Sequence, residues 1–166
     1  MADELESHIS DDDAEIDDER IDQIREYIGE GDFASATKLL EEVIKDQPGN
    51  DDMRFMRVQA AMAMEPARVA ELVKDLEGTQ YQERSQYLKE LAALAVEGGE
   101  GDYVEGLNYL QKIQLPEAAA KWIEVLKSDR SHEGAKSALK YLFLYLGREH
   151  AVTAEYQPQF SSILFS

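Results

Sequence analysis

The chain has 166 residues, 43% of them hydrophobic, no cysteine and a net charge of −18. That length suits one packed core or a short solenoid, and without cysteine there is no disulfide, thiolate metal site or thiol exchange. So acidic a surface repels nucleic acid and anionic membrane, no apolar run reaches membrane-spanning length, and cytoplasmic residence is the expectation. The charge is unevenly placed. Ten acids and no Lys or Arg fall in residues 1–19, which leaves 25 acids against 17 bases in the rest. Residues 1–18 hold few apolar side chains and read as a disordered acidic leader, with the folded domain spanning 19–166. Asp11-Asp12-Asp13 lacks the central glycine and ligand alternation of a calcium loop, so a solvated tail is expected there.

From Glu19 on, the pattern is helical. Ile21, Ile24, Tyr27 and Ile28 make one apolar face of a first helix that ends at Gly29–Gly31. Gly31-Asp32 closes it, Phe33 opens the next, and Ala36 is small where two helices cross closely. Leu39, Leu40, Val43 and Ile44 continue that second helix until Pro48-Gly49-Asn50 stops it. The Gly-Asp-aromatic, the small Ala and the Pro occupy the relative places they hold in the 34-residue tetratricopeptide pattern. A third helix is predicted from Asp51 to Met64, with Met53, Met56, Ala60 and Met64 apolar. Its shorter partner starts at Pro66, a good first-turn residue, and is expected to bury Val69, Ala70, Val73 and Leu76.

Ala70 follows Ala36 by one repeat length, and Ala119, Ile123 and Leu126 repeat the phase of Ala36, Leu40 and Val43 within a third unit, Gly106 to Arg130. The interval from Ala70 to Ala119 is 49 residues, an excess of 15 over one repeat. Gln80 to Val96 supplies that excess as an added helix, with Tyr87, Leu88, Leu91, Leu94 and Ala95 inward. A strongly apolar helix follows from Glu133 to Leu146, stopped by Gly147. The last runs from about His150 to Phe165, where Pro158 is expected to kink or restart it. No segment alternates as a strand does. The expected fold is all-α, a tetratricopeptide-like right-handed solenoid of helical hairpins with a closing C-terminal helix.

Catalysis needs convergent groups, and none are apparent. His8, His132 and His150 form no metal pair, the last two falling at helix starts where they suit capping. Gly98-Gly99-Glu100-Gly101 carries an acid that would repel phosphate and reads as an interhelical turn. No cofactor and no enzymatic activity are expected. Two binding faces remain. Arg54 and Arg57, at i and i+3, with Gln86, lie where a repeat concavity would meet an acidic peptide. Two arginines are too few for a carboxylate clamp, however, and ordinary solvated positions are the expectation for them. Val152, Tyr156, Phe160, Ile163 and Leu164, with Phe165 to one side, form a C-terminal apolar stripe suited to closing the core or to docking.

The order of these parts resembles the tetratricopeptide-like C-terminal region of chaperedoxins, the bacterial thioredoxin-like co-chaperones. The resemblance covers residues 24–166 and rests on three stretches. These are GEGDFASATKLLEEVIKDQPGN with the degenerate MRFMRVQAAMAMEPARVAELVKDL, then PEAAAKWIEVLKSDRSHEGAKSALKYLFLYLG, and the ending REHAVTAEYQPQFSSILF. An acidic leader stands where the family has its thioredoxin domain, and Gln157-Pro158 replaces a basic pair that follows the tyrosine in the family. The resemblance implies a non-enzymatic adaptor that binds unfolding client proteins or a GroEL-type chaperonin through its C-terminal helix, at Tyr156, Phe160, Ile163, Leu164 and Phe165. The alternative is a structural assembly subunit that self-associates, as a weak homodimer, through the same apolar end.

Overall fold

A computed structural model describes residues 19–166. The leader, residues 1–18, with its expected solvated state, lies outside the described residues. Every regular element among those described is helical. Helix α1 occupies 19–29, followed by α2 (Phe33–Asp46) and α3 (Asp51–Met64). A segment of mixed pitch comes next: a 3-10 turn at Pro66–Arg68, the short α4 (Val69–Leu72) and a second 3-10 turn at Val73–Leu76. Then come α5 (Gln82–Glu97), α6 (Gly101–Gln111), α7 (Leu115–Ser128), α8 (Glu133–Leu146) and α9 (Ala151–Phe165).

The helix ends follow from local chemistry. The Asp32 carboxylate accepts from the Ser35 N–H at 3.1 Å and the Asn50 side chain from the Met53 N–H at 3.3 Å, each satisfying an orphan donor of a first turn. The Ser35 hydrogen bonds hold the Asp32 carboxyl below its ordinary value. His132 Nδ1 accepts from the Ala135 N–H at 3.0 Å and His150 Nδ1 from the Val152 N–H at 3.1 Å, the capping roles that their positions predict.

Two helices end in the same six-residue motif with different residues at its left-handed position. After α1, Gly31 N–H bonds Ile28 O and Asp32 N–H bonds Tyr27 O, with Gly31 at φ 78°. After α6, Ile113 N–H bonds Leu110 O and Gln114 N–H bonds Tyr109 O, with Ile113 at φ 57°. A β-branched residue is unfavourable there by about 1–2 kcal/mol. The Ile113 side chain is 36% exposed and forms part of the wall of an apolar cavity. Removing the side chain two ways separates the terms: Ile113→Gly is expected to be about 1 kcal/mol more stable than Ile113→Ala, the reverse of the order in a helix interior. Urea titration of the two variants measures the difference; Ala as stable as Gly would show the left-handed cap to be wrong.

The apolar residues form two clusters joined by α3. The smaller unites Ile24 of α1, Ala36, Leu40 and Val43 of α2, and Met53 and Ala60 of α3. The larger takes Phe55, Val58, Ala61 and Met62 from the other side of α3 and continues through α4 to α9. Residues on both sides of α3 are therefore buried, although the helix also carries Asp51, Asp52, Arg54, Arg57 and Gln59. Ala119, Ile123 and Leu126 are buried on α7 as the repeat phase predicts.

Three expectations are corrected. Ala70 is exposed although Val69, Val73 and Leu76 are buried. The mixed 3-10 and α winding narrows the buried face to those three, so no close crossing recurs at Ala70. Met64 is exposed rather than apolar core. Helix α5 does form over the stretch read as an added helix, and it packs against α8, α3 and the 66–76 segment. Finally, α9 runs unbroken through Pro158, so the helix does not restart there. Ala154, whose carbonyl loses its donor, faces solvent, and the Gln159 side chain donates to Glu155 O at 3.2 Å one residue on.

An aromatic and polar node ties α3, α5 and α8. Phe55 stacks on Tyr81 at 4.5 Å, and the Arg84 guanidinium lies 4.9 Å from the Phe55 ring and 5.1 Å from that of Tyr145. Arg84 Nε donates to Tyr145 O at 3.1 Å, and Gln59 Nε2 donates to the Tyr145 hydroxyl at 2.5 Å. Burial raises the Tyr145 phenol above its ordinary value, so it stays protonated at neutral pH.

Candidate interaction surfaces

The C-terminal stripe divides into a packed part and an exposed tip. Val152 is buried, and Tyr156, Phe160 and Ile163 lie against the larger core, at the i, i+4, i+8, i+11 spacing of one helix face. Phe160 meets Phe143 edge-on at 5.9 Å. Helix α9 therefore closes the core along α7 and α8. Leu164 is half-buried, while Phe165 is 86% exposed. The tip is held by a residue the sequence does not single out. Arg130, just beyond α7, donates from Nη2 to Leu164 O at 3.3 Å and Ser166 O at 3.2 Å, capping carbonyls that the helix leaves unpaired.

Arg54 and Arg57 do converge, but in a cleft between α2, α3 and the 66–76 segment. Its lining is Glu41, Ile44, Lys45, Arg54, Arg57, Arg68, Leu72 and Asp75, around a volume of about 290 Å³. Gln86 is half-buried on α5 and is not among these residues. Arg57 is not a solvated surface residue: it is only 4% exposed. Its Nη2 donates to Glu41 Oε1 at 3.1 Å, while its Nη1 is buried with no hydrogen-bond partner. Arg54 Nη1 reaches Asp75 O at 3.5 Å, and its Nε is likewise buried and unpartnered. Arg68 pairs with Glu65 at 3.5 Å. Lys45 and Arg68 arrive from other elements, so nothing in the local spacing on α3 could announce them.

A third feature is an apolar cavity of about 140 Å³ between the α1–α2 turn and the α6–α7 turn. Ile28, Phe33, Met62, Leu110, Ile113 and Leu115 are among its walls, and the Gln59–Tyr145 bond lies at its edge. Among the described residues no helix is long and apolar enough to cross a membrane. No protein-family model matches the chain, and no curated protein or solved structure matches it either.

Proposed function

We propose that this protein is a non-enzymatic adaptor, a tetratricopeptide-like scaffold of helical hairpins that binds a protein partner through the tip of α9. The partner class is a GroEL-type chaperonin or an unfolding client, as the resemblance to chaperedoxins implies. One observation carries the reading. Phe165 is 86% exposed at the end of a helix whose other large apolar residues are packed or half-covered, and Arg130 fixes the backbone that presents it. An exposed aromatic on an ordered element is a ready anchor, since little conformational freedom remains to be lost on binding. The interlocked repeat phase of Ala36 and Ala119, both fully buried, supports the scaffold.

The test separates docking from folding because Phe165 contributes little to the core. Phe165→Asp is expected to keep the helical circular dichroism and melting behaviour of the parent while weakening binding to purified chaperonin at least tenfold, equivalent to about 1.4 kcal/mol. Equal affinity of parent and variant removes the tip from the interface. If the parent itself fails to bind and instead forms dimers that Phe165→Asp abolishes, as light scattering would reveal, the chain is a self-associating assembly subunit.

A further inference from the structure

The cleft between α2, α3 and the 66–76 segment concentrates positive charge in a strongly acidic protein. Lys45, Arg54, Arg57 and Arg68 line it against two carboxylates, Glu41 and Asp75, with Glu65 beside Arg68. Two of its guanidinium nitrogens, Arg57 Nη1 and Arg54 Nε, are buried without a hydrogen-bond acceptor. An unpaired buried donor on a cation is costly, and a carboxylate is the group that satisfies it best, with two oxygens that match the guanidinium fork. Among the described residues Lys45 makes no ion pair either. The site is thus short of anion.

The missing anion has a source in the same chain. Residues 1–18 contain nine carboxylates and no Lys or Arg. The start of the described chain is tied to the end of α2: Arg20 Nη1 lies 2.8 Å from Asp46 Oδ2, and Asp46 is next in sequence to the cleft residue Lys45. Eighteen residues span up to about 60 Å when extended, so reach is no constraint. Tethering at so short a range gives an effective concentration of order mM, at which even a weak carboxylate–guanidinium contact is populated. We propose that the acidic leader is the occupant of this cleft, placing Asp or Glu carboxylates on Arg54 and Arg57 and masking them from acidic segments of other proteins. The site then takes a partner's carboxylates only by displacing the leader.

Because the chain has no cysteine, Ser10→Cys offers a unique attachment point for a nitroxide. In the 166-residue chain at low salt, paramagnetic broadening is expected on the amides of Lys45, Arg57, Arg68 and Leu72, with the α9 amides unaffected. Two variants of the labelled chain test the charges without touching the buried arginine. One neutralises the leader (Asp11, Asp12, Asp13, Asp17 and Asp18 all changed to Asn), and the other is Lys45→Gln with Arg68→Gln. Each is expected to reduce the cleft broadening several-fold, as is raising salt from about 0.01 M to about 1 M, which shortens the screening length from about 30 Å to about 3 Å. Oligoglutamate added in trans should shift the cleft amides at lower concentration in the Asn variant than in the parent. Broadening that is absent or evenly spread overturns the proposal, and so does broadening unchanged in both variants. Equal response of parent and Asn variant to oligoglutamate also overturns it, and would assign the cleft to partner carboxylates alone.

Discussion

Replacing Trp122 by alanine is expected to lower the unfolding free energy by about 4 kcal/mol. The indole is 0% exposed and is the largest fully buried side chain of the protein. It sits on α7 among Ala118, Ala119, Ile123 and Leu126, and it faces α6, the helix with which α7 makes its most extensive packing. Its Nε1 donates to Tyr103 O at 3.2 Å, so alanine removes both the apolar volume and the donor for a buried carbonyl. Small domains are stable by only about 5–15 kcal/mol in total, so the variant should denature at markedly lower urea. Circular dichroism is the readout, because Trp122 is the only tryptophan. A loss below about 1 kcal/mol would contradict a tightly filled α6–α7 interface.

Gly106→Ala is expected to destabilise the protein by about 2–3 kcal/mol, although alanine in an ordinary helix interior improves stability by about 1 kcal/mol. The reason is again Trp122. A Cβ on Gly106 would overlap Nε1, Cδ1 and Cε2 of the indole, which is a rigid ring with no free end to swing away. The sign should therefore depend on the tryptophan. In a Trp122→Ala background the space is vacant, and Gly106→Ala should become neutral or mildly stabilising. A double-mutant cycle over the four chains is expected to give a coupling of about 2 kcal/mol or more. Additive effects would mean that the two helices separate rather than clash.

This pair also shows where local reading stops. The phase of Ala119, Ile123 and Leu126 picks out the buried side of α7, and Trp122 falls on the same side. Nothing in that periodicity says that a glycine sixteen residues earlier must make room for it. Likewise, the turn after α1 is legible because Gly31 announces it, whereas the same turn after α6 carries Ile113 and is visible only from its hydrogen bonds.

The candidate surfaces divide in the same way. The stripe Val152, Tyr156, Phe160 and Ile163 can be read from spacing, but spacing cannot distinguish covering a core from meeting a partner. Packing against the larger core and the Phe143 ring accounts for the rest of the stripe and leaves Phe165 exposed. Arg54 and Arg57 are adjacent on α3 by their spacing alone. Their depth, the pairing with Glu41 and the approach of Lys45 and Arg68 come from two other elements.

By itself the sequence determined what depends on neighbours within about two turns: most of the helices, the capping positions of His132 and His150, the helix ends at Gly31 and Gly147, and the buried phase of Ala36, Leu40 and Val43 and of Ala119, Ile123 and Leu126. Hydrogen bonds between near residues and the 3.6-residue period set these, and both are written in short stretches of chain. Tertiary structure decided which faces meet. Gln59 and Tyr145 are 86 residues apart, and Arg84 and Tyr145 are 61 apart, yet together they fix α3, α5 and α8. Such contacts rest on shape and on burial against one particular neighbour, and periodicity carries no address for that neighbour. For the same reason Ala70, with the right spacing and no helix packed over it, remains in solvent.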